Sequence, residues 1–387
     1  MRYEFATADR IVVGPGSSAD LPALTAPLGG AALLVHGRGA VERGGATADL
    51  IRRLLGGGAV RASHAVGGEP DVAGAEAGAA LARQHGCDLV IGVGGGSALD
   101  MAKAVAALAA NEGGATRYLE VVGEGRPLER PALPVVAVPT TAGTGSEVTR
   151  NAVLVAPQHR VKASVRHVSM LPRLALVDAE LTHEMPPALT ASTGMDALTQ
   201  LLEAYVSRRA TPLMDGLCLE GLARARWALP RAYASGDNGE ARAAMSEASL
   251  MSGLALANAG LGAVHGIAAP LGGGFPAPHG AACAALLPHV TAVNIRALRR
   301  SDTSSPALAR YERVAEVMGA HGVDGLVELL HELARSMAIP GLGAYGVTHA
   351  DVPTLALAAS RASSTRGNPV DLELAELEEA LARSLES

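Results

Sequence analysis

The sequence predicts a parallel α/β domain followed by an all-helical domain, and three observations support this fold class. Short apolar runs alternate with helix-like stretches up to about residue 180. A glycine-rich turn connects one of those runs directly to a helix-like stretch. From residue 181 onward the strand signals stop, and long stretches keep the helical spacing of apolar residues. We therefore predict an α/β domain over residues 1–180 and a helical domain over residues 181–387.

The predicted strands are apolar runs bounded by glycine, proline or charge, at residues 31–35, 88–93, 134–139 and 174–178. Helix-like stretches at 46–55 and 72–84 lie between them, which is typical of a parallel sheet covered by helices. In the second half, helical spacing predicts helices over 188–207, 213–232, 239–258, 306–320, 324–337, 350–362 and 371–385. A cleft between two such halves is the expected place for a cofactor and a substrate.

Composition excludes several classes of protein. The net charge is −6, there is no long lysine or arginine cluster, and aromatic residues make up only 2% of the chain, so we expect no nucleic-acid or membrane partner. Cys87, Cys218 and Cys283 are far apart and odd in number, unlike a disulfide framework or a CxxC zinc site. No signal peptide is visible, and no apolar run reaches the about 18 residues of a membrane span. We predict a cytoplasmic protein.

The stretch DLVIGVGGGSALDMAKAVA (88–106) is the strongest local signal. A strand runs into Gly94, Gly95, Gly96 and Ser97, and a helix follows at once. Glycine lets a backbone approach a ligand closely, and a helix start offers free N–H groups and a positive dipole end. The alternative is a plain tight turn with Ser97 as N-cap. Three successive glycines are costly for a turn alone, so a phosphate-binding loop is favoured.

A second polar loop, VPTTAGTGSEVTRN (138–151), follows the strand predicted at 134–139. Its clustered hydroxyls suit a ribose, phosphate or amide group, although a hydrogen-bonded serine and threonine turn explains them equally well in isolation. Ligands of parallel sheets bind at the carboxyl ends of the strands, so the two loops together favour a nucleotide site.

The candidate metal ligands lie in the second half. Asp196 and Gln200 are four apart on a predicted helix, and so share one face. His265 lies in a helix-like run, and His279 precedes another helix start. One carboxylate and two imidazoles suit Zn²⁺ or Fe²⁺ at a catalytic site with an open position. Residue type and spacing alone still favour an ordinary polar pair and two core or capping histidines.

Several ordered motifs together resemble the iron-containing (group III) alcohol dehydrogenase family, whose superfamily includes maleylacetate reductases. They are GVGGGSALDMAK, PTTAGTGSEVT, GMDALTQLLEAYVS, VHGIAAPLGG and PAPHGAACAALLPHV, and they span nearly the whole chain. The resemblance implies a Rossmann-like dinucleotide-binding α/β domain, a helical domain and a site between them. It implies NAD- or NADP-linked oxidation of an alcohol, or reduction of an aldehyde or ketone, in a homodimer or larger homo-oligomer.

The same resemblance assigns roles to residues. It implies that the pyrophosphate is held by Gly94, Gly95, Gly96 and Ser97, with Asp100 supporting their loop. The nicotinamide and ribose would be lined by Thr140, Thr141, Thr144 and Ser146, and Lys162 would reach the ribose. The divalent metal, Fe²⁺ or Zn²⁺, would be held by Asp196, Gln200, His265 and His279. His265 and His279 are also the catalytic candidates.

The sequence departs from the family pattern in three places. Gln200 stands where the family has a ligand histidine, and an amide oxygen is a weaker ligand for Fe²⁺ or Zn²⁺. Ala269 replaces a second histidine that could relay a proton, so water or a ribose hydroxyl would carry it. Gly37 and Arg38 follow a strand where many NAD-using members have an Asp. Arg38 could pair with a 2′-phosphate, which favours NADP or mixed use, or it is a solvated loop residue.

Two other functions stay open at this point. The missing ligand at Gln200 is consistent with a metal-independent reductase of the maleylacetate reductase type, in which the histidines act as hydrogen-bond donors or general acids. The same substitutions are consistent with a non-catalytic nucleotide-binding protein, which we rank last because Asp196, His265 and His279 all remain.

Overall fold

The computed structural model describes residues 2–159, 161–301 and 304–386. Those residues form two compact units, Ala6–Met185 and Met1–Phe5 with Pro186–Ser387. The first unit contains the parallel sheet and its helices, and the second unit is helical. The predicted fold class is therefore confirmed.

The first unit is built on a six-stranded sheet in the order β1-β8-β5-β4-β2-β3, and every neighbouring pair is parallel. Its strands are β1 Ile11–Val13, β2 Ala32–Gly37, β3 Val60–Val66, β4 Leu89–Gly94, β5 Val135–Pro139 and β8 Leu174–Val177. The antiparallel strands β6 Asn151–Ala156 and β7 Val161–Arg166 pair with each other in a separate hairpin. The helices are α1 Leu21–Thr25, α2 Arg38–Arg43, α3 Gly45–Gly56, α4 Val72–Gln84 and α5 Gly96–Ala110.

The four predicted strands appear in the structure within two residues of their predicted bounds, as β2, β4, β5 and β8. Most of their residues are buried, as expected for strands covered on both faces. The sequence analysis missed β1, which has three residues, and the hairpin of β6 and β7. Strand β3 was not predicted either; its exposed residues alternate with half-buried ones at the edge of the sheet.

The order of the strands brings the two predicted binding loops together. Gly94 at the end of β4 is in register with Pro139 at the end of β5. The glycine loop therefore leaves the sheet beside the loop 140–150, which carries the threonines and which we call the threonine loop. His36, near the end of β2, is in register with Val93 of β4. The segment after β2 thus reaches the same edge of the sheet.

The second unit contains α6 Pro187–Val206, α7 Pro212–Ala234, α8 Gly239–Ala259, α9 Ala263–Gly274, α10 His279–Ser301, α11 Pro306–Met318, α12 Gly322–Ser336, α13 Val352–Arg361 and α14 Leu374–Arg383. Helix α6 begins with a proline at its first position, where the missing N–H costs nothing, and nearly all of its later residues are buried. Helix α10 packs on α6. Gly280 allows this close approach, because a Cβ atom there would lie 2.3 Å from the Ser192 carbonyl oxygen of α6.

Helix α10 is long and apolar enough to cross a membrane by length and composition alone, and the bent pair of α8 and α9 passes the same test. However, 83% of the apolar window of α10 is buried inside the fold. That burial is what a core helix of a globular domain shows.

A buried charge network connects α5 to the threonine loop. The Lys103 Nζ lies 2.9 Å from the Asp100 Oδ1, and it donates to the Ser146 carbonyl oxygen and to the Thr149 hydroxyl. Asp100 also accepts hydrogen bonds from the Ser146 hydroxyl and from the Val153 N–H. Lys103 is fully buried, so its charge depends on these partners. The sequence analysis did not single out Lys103, because one lysine in an alanine-rich helix carries no motif.

Glu147 lies in the same loop and is 2% exposed. Burial raises the pKa of its carboxyl group from 4.5 to about 7, although a backbone hydrogen bond and the charge of Lys103 act in the opposite direction. Folding therefore takes up a proton at Glu147 between about pH 4.5 and pH 7. The stability that goes with this proton is present at low pH and is lost as the pH rises through about 7.

We predict that Glu147→Gln makes stability less dependent on pH, because glutamine keeps the shape of the neutral carboxyl group. At pH 8 the variant should be more stable than the parent chain, by up to about 3 kcal/mol. At pH 5 the two should differ little. Urea unfolding at both pH values measures this, with Glu124→Gln, at a side chain that is 54% exposed, as the control. An equal difference at both pH values would contradict the assignment of this proton.

Candidate metal centre and cofactor loops

Helix α6 presents two buried carboxylates on one face. Asp196 is 1% exposed and Glu203 is 4% exposed. They are seven residues apart, which is about two helical turns, so their side chains lie on the same side of the helix. Two buried carboxylates are costly unless positive charge or hydrogen-bond donors compensate for them.

His265 on α9 lies between these two carboxylates. Its Nδ1 is 2.6 Å from the Glu203 Oε2, and its Nε2 is 3.3 Å from the Asp196 Oδ1. The other oxygen of Glu203 accepts a hydrogen bond from the Val264 N–H at 2.7 Å. Glu203 therefore fixes both the start of α9 and the orientation of the imidazole. A carboxylate bonded to the far nitrogen of a histidine is the usual support of a metal-binding imidazole.

Helix α10 supplies two further side chains, His279 and Cys283, one turn apart. The His279 Nε2 lies 3.8 Å from the Asp196 Oδ1 and 3.7 Å from the Cys283 Sγ. The His265 and His279 rings are tilted by 57° with their centroids 5.4 Å apart. Cys283 is fully buried, whereas the side chain of His279 is 36% exposed. The cluster is thus closed on the Cys283 side and open on the His279 side.

These four side chains, which we call the α6 cluster, have the arrangement of a metal site. One ligand atom from each of Asp196, His265, His279 and Cys283 lies within 4.8 Å of the others. Metal–ligand bonds of about 2.0–2.3 Å would place the ligands of a tetrahedral site about 3.3–3.8 Å apart. The Asp196–His265, Asp196–His279 and His279–Cys283 separations all lie in this range. The Asp196 Oδ1 and the His265 Nε2, which lie 3.3 Å apart, are both buried and have no hydrogen-bond partner among the residues that the structure describes. A divalent cation between the four groups would satisfy both atoms, so these residues fit a metal.

The pKa values within the α6 cluster reflect mutual electrostatic stabilisation. Burial alone would raise the pKa of Asp196, but the charges of His279 and His265 hold it below its usual value. The pKa of His279 is raised, chiefly by the charge of Cys283. Burial alone would raise the pKa of the Cys283 thiol, but the two imidazoles hold it below its usual value. The cluster therefore combines anionic groups with protons that a metal cation can displace.

Gln200, the remaining predicted ligand, is buried one turn after Asp196. Its Oε1 accepts a hydrogen bond from the Ser252 hydroxyl of α8 at 3.0 Å. The same hydroxyl also lies 2.8 Å from the Ser249 carbonyl oxygen, so its single proton is shared and the amide oxygen is only partly engaged by α8. Ala269, where the resemblance implies a second histidine, is exposed on α9.

In the first unit, the glycine and threonine loops pack directly against each other. A Cβ atom on Gly96 would lie 2.8 Å from the Thr144 hydroxyl, and one on Gly95 would lie 3.1 Å from the Thr141 methyl group. The Thr140 N–H donates to the Gly94 carbonyl oxygen at 3.0 Å. The contact between the two loops therefore requires glycine at these positions, whether or not a ligand requires it as well.

Ser97 is half-buried at the second position of α5, whose N-cap is Gly95, so Ser97 is not the N-cap. Asp100 and Ser146 are bonded to each other, as described for the charge network. The structure therefore brings together the predicted glycine-loop and threonine-loop residues. Whether they bind a dinucleotide stays a prediction.

Three other predicted cofactor residues remain, and the first of them lies against the glycine loop, since a Cβ atom on Gly94 would lie 3.4 Å from the Gly37 nitrogen. Gly37 ends β2, and Arg38 is exposed at the start of α2, where its guanidinium group lies against Gly67. Lys162 is on β7, and its Nζ pairs with the Glu69 Oε1 at 3.0 Å. The role of Lys162 toward a ribose stays a prediction.

Sequence reasoning missed Glu203 and Cys283. Glu203 could have been found from its spacing, since it follows Asp196 by two turns within an otherwise uncharged helix. Cys283 follows His279 by four residues, which is a ligand spacing on a helix. Its contact with Asp196 depends on the packing of α10 on α6, which no local pattern predicts.

Two family models match the chain. The model described as iron-containing alcohol dehydrogenase matches residues 8–179, and the one described as the C-terminal part of the Fe-containing alcohol dehydrogenase family matches residues 190–385. Among curated proteins, long-chain-alcohol dehydrogenase 1 of Geobacillus thermodenitrificans is 40% identical over 299 residues, which cover 74% of this chain and 72% of the relative.

Solved structures agree over the full length. A 1,3-propanediol oxidoreductase has a TM-score of 0.90 at 31% identity, covering 99% of this chain and 100% of that one. A sulfoacetaldehyde reductase from Bifidobacterium kashiwanohense, solved in complex with NAD⁺, has a TM-score of 0.87 at 28% identity, covering 100% of this chain and 99% of that one.

We predict that Glu203→Gln weakens metal binding at the α6 cluster by about 10–100-fold, because a neutral amide would replace the carboxylate that bonds the His265 imidazole. Competition with a chromophoric zinc chelator measures the affinity. The matched control is Glu376→Gln, which alters another buried glutamate of the same unit. Equal zinc affinities for the parent chain and both variants would show that Glu203 does not support a metal ligand.

Proposed function

The chain belongs to the iron-containing alcohol dehydrogenase family, and on that premise we propose that it is an NAD(P)-dependent alcohol dehydrogenase, or aldehyde or ketone reductase. Family and relatives support an oxidoreductase that acts on alcohols, and they bear out the resemblance carried by the ordered motifs. A nicotinamide cofactor would exchange a hydride with the carbonyl carbon of a small substrate. The residues of the α6 cluster would hold a divalent metal, which would supply Lewis-acid polarisation of the substrate oxygen.

The observation that carries the proposal is the pair of unsatisfied buried atoms, the Asp196 Oδ1 and the His265 Nε2. Buried polar atoms without partners are rare, and each demands an explanation. A metal site explains both, and it also explains why Glu203 is bonded to the opposite nitrogen of His265. The partial exposure of His279 leaves a side from which a substrate oxygen can approach.

The dinucleotide is proposed to bind at the glycine loop. The first turn of α5 has N–H groups with no partner within the helix, and its dipole favours the charge of a pyrophosphate. The threonine loop at the end of the neighbouring strand adds hydroxyl groups at the same edge of the sheet. A structural relative solved in complex with NAD⁺ supports this assignment.

The proton that accompanies hydride transfer needs a carrier other than a side chain at position 269. Ala269 is exposed, so solvent reaches this position on α9. We therefore propose that water or a ribose hydroxyl carries the proton. The cytoplasmic location rests on composition, and a homodimer or larger assembly rests on the family resemblance.

We predict that turnover depends on the metal and on its ligands. With a panel of alcohols and aldehydes and both nicotinamide cofactors, removing metal with a chelator should lower turnover by about a thousandfold, and Zn²⁺ or Fe²⁺ should restore it. His279→Ala should abolish turnover. The control is His289→Ala, which removes a histidine of the same helix whose ring packs edge-on against His331. This variant should retain turnover.

Full turnover by metal-free protein would contradict metal assistance and favour the maleylacetate reductase type. An absence of turnover and of cofactor binding would contradict the proposed function as a whole. Binding of NADH or NADPH without turnover would favour the non-catalytic nucleotide-binding protein.

We predict a second effect at Arg38, which occupies the place of a ribose-binding acid. Arg38→Ala should raise the KM for NADPH by about 10–100-fold, because a charge-assisted hydrogen bond to a 2′-phosphate contributes about 1.5–3 kcal/mol. The KM for NADH should change little. The matched control is Arg61→Ala, at an exposed arginine on β3. Equal effects on the two cofactors would show that Arg38 does not read the 2′-phosphate.

A further inference from the structure

We propose that Cys283 is a metal ligand that replaces the imidazole missing at Gln200. The metal would then be held by one carboxylate, two imidazoles and one thiolate, from Asp196, His265, His279 and Cys283. This inference rests on the proposed function, since it concerns the metal of the same site.

The position of Cys283 supports this role. It follows His279 by one turn of α10, so both side chains face α6, and the Sγ lies 3.7 Å from the His279 Nε2. Its Sγ lies within 4.8 Å of the other ligand atoms of the α6 cluster. Two unsatisfied buried atoms, the Asp196 Oδ1 and the His265 Nε2, belong to the same cluster. The thiol therefore takes part in a built site rather than standing alone.

Gln200 is the weaker candidate for the fourth ligand. Its Oε1 already accepts the Ser252 hydroxyl at 3.0 Å, and a neutral amide oxygen attracts a divalent cation less than a thiolate does. A Cys283 thiolate adds a second negative charge to the ligand set beside Asp196, whereas Gln200 adds none. Glu203, which bonds the far nitrogen of His265, contributes a further buried carboxylate outside the ligand set.

Cys218 shows how a buried cysteine behaves without such neighbours. It is fully buried in α7, and burial raises the pKa of its thiol to about 12. Cys283 is equally buried but lies between two imidazoles and a carboxylate. Cys218 is therefore the matched control for Cys283, because the two differ in surroundings rather than in burial.

A thiolate changes which metal the site prefers. Soft sulfur ligands favour Zn²⁺, whereas sets of carboxylate and imidazole ligands suit Fe²⁺ as well. We therefore expect a preference for Zn²⁺ over Fe²⁺, and we expect Cys283→Ser to lower the affinity for Zn²⁺ by at least about a hundredfold. The metal-bound thiol would be deprotonated.

The test is optical spectroscopy of the full chain loaded with Co²⁺, with cobalt content measured in parallel. Bonding of a thiolate to Co²⁺ produces an intense near-ultraviolet charge-transfer band, which oxygen and nitrogen ligands do not. We expect this band in the parent chain and in the Cys218→Ser, Cys87→Ser and Gln200→Ala variants. We expect it to be absent from Cys283→Ser while cobalt still binds at raised concentration.

Each outcome bears on the assignment. One cobalt ion bound to the parent chain without the band would overturn the assignment of Cys283. This measurement is made on the parent chain, so it does not depend on whether a variant folds. Persistence of the band in Cys283→Ser would also overturn it. A parent chain that binds no cobalt would contradict the metal-assisted function together with the ligand assignment. Cobalt bound without the band contradicts Cys283 alone.

Discussion

The candidate site depends on one constraint, the position of the His265 imidazole between two buried carboxylates of α6. Glu203 holds the Nδ1 side at 2.6 Å, and the Asp196 Oδ1 lies 3.3 Å from the Nε2. Since Glu203 also bonds the Val264 N–H, the position of α9 and the orientation of the ring are set together. Gly280 then lets α10 approach the backbone of α6 closely enough to bring His279 and Cys283 to the same point. Close helix packing thus builds the cluster.

The replacement at Gln200 becomes understandable when it is considered together with the position of Cys283. Gln200 has no imidazole to offer, and its amide is bonded to Ser252. In the proposed assignment, Cys283 supplies a strong ligand from a different helix, one turn beyond His279. The substitution at Gln200 would then change the type of metal site without removing it. A bound cation would also account for the Asp196 Oδ1 and the His265 Nε2, which have no hydrogen-bond partner among the described residues.

Much of the fold could be predicted from the sequence, because buried parallel strands are apolar along their length and punctuated by glycine or proline. Strands β2, β4, β5 and β8 satisfy this pattern, and helical spacing found most of the second unit. Strands β3 and β7 did not satisfy it, since polar residues interrupt them, whereas β6 is an apolar run before a proline that was overlooked. Their pairing comes from the tertiary structure.

For the candidate site, local patterns indicated which loops and histidines to consider, but they did not show which side chains meet. Asp196 and His265 are far apart in sequence, and the bonds from Glu203 of α6 to the start of α9 bring them together. Cys283 was set aside as one of three scattered cysteines, because sequence spacing reveals CxxC sites and not ligands contributed by separate helices. Buried Lys103 was overlooked for a similar reason, since its partners lie in a loop that folds back on α5.

The central claim, that the α6 cluster is a metal site, is tested most directly by anomalous diffraction from crystals grown with Zn²⁺, measured on both sides of the zinc absorption edge. The account predicts one strong peak in the anomalous difference map, about 2.0–2.3 Å from ligand atoms of Asp196, His265, His279 and Cys283. An absent peak with these side chains well ordered, or a peak bound elsewhere in the chain, would contradict it.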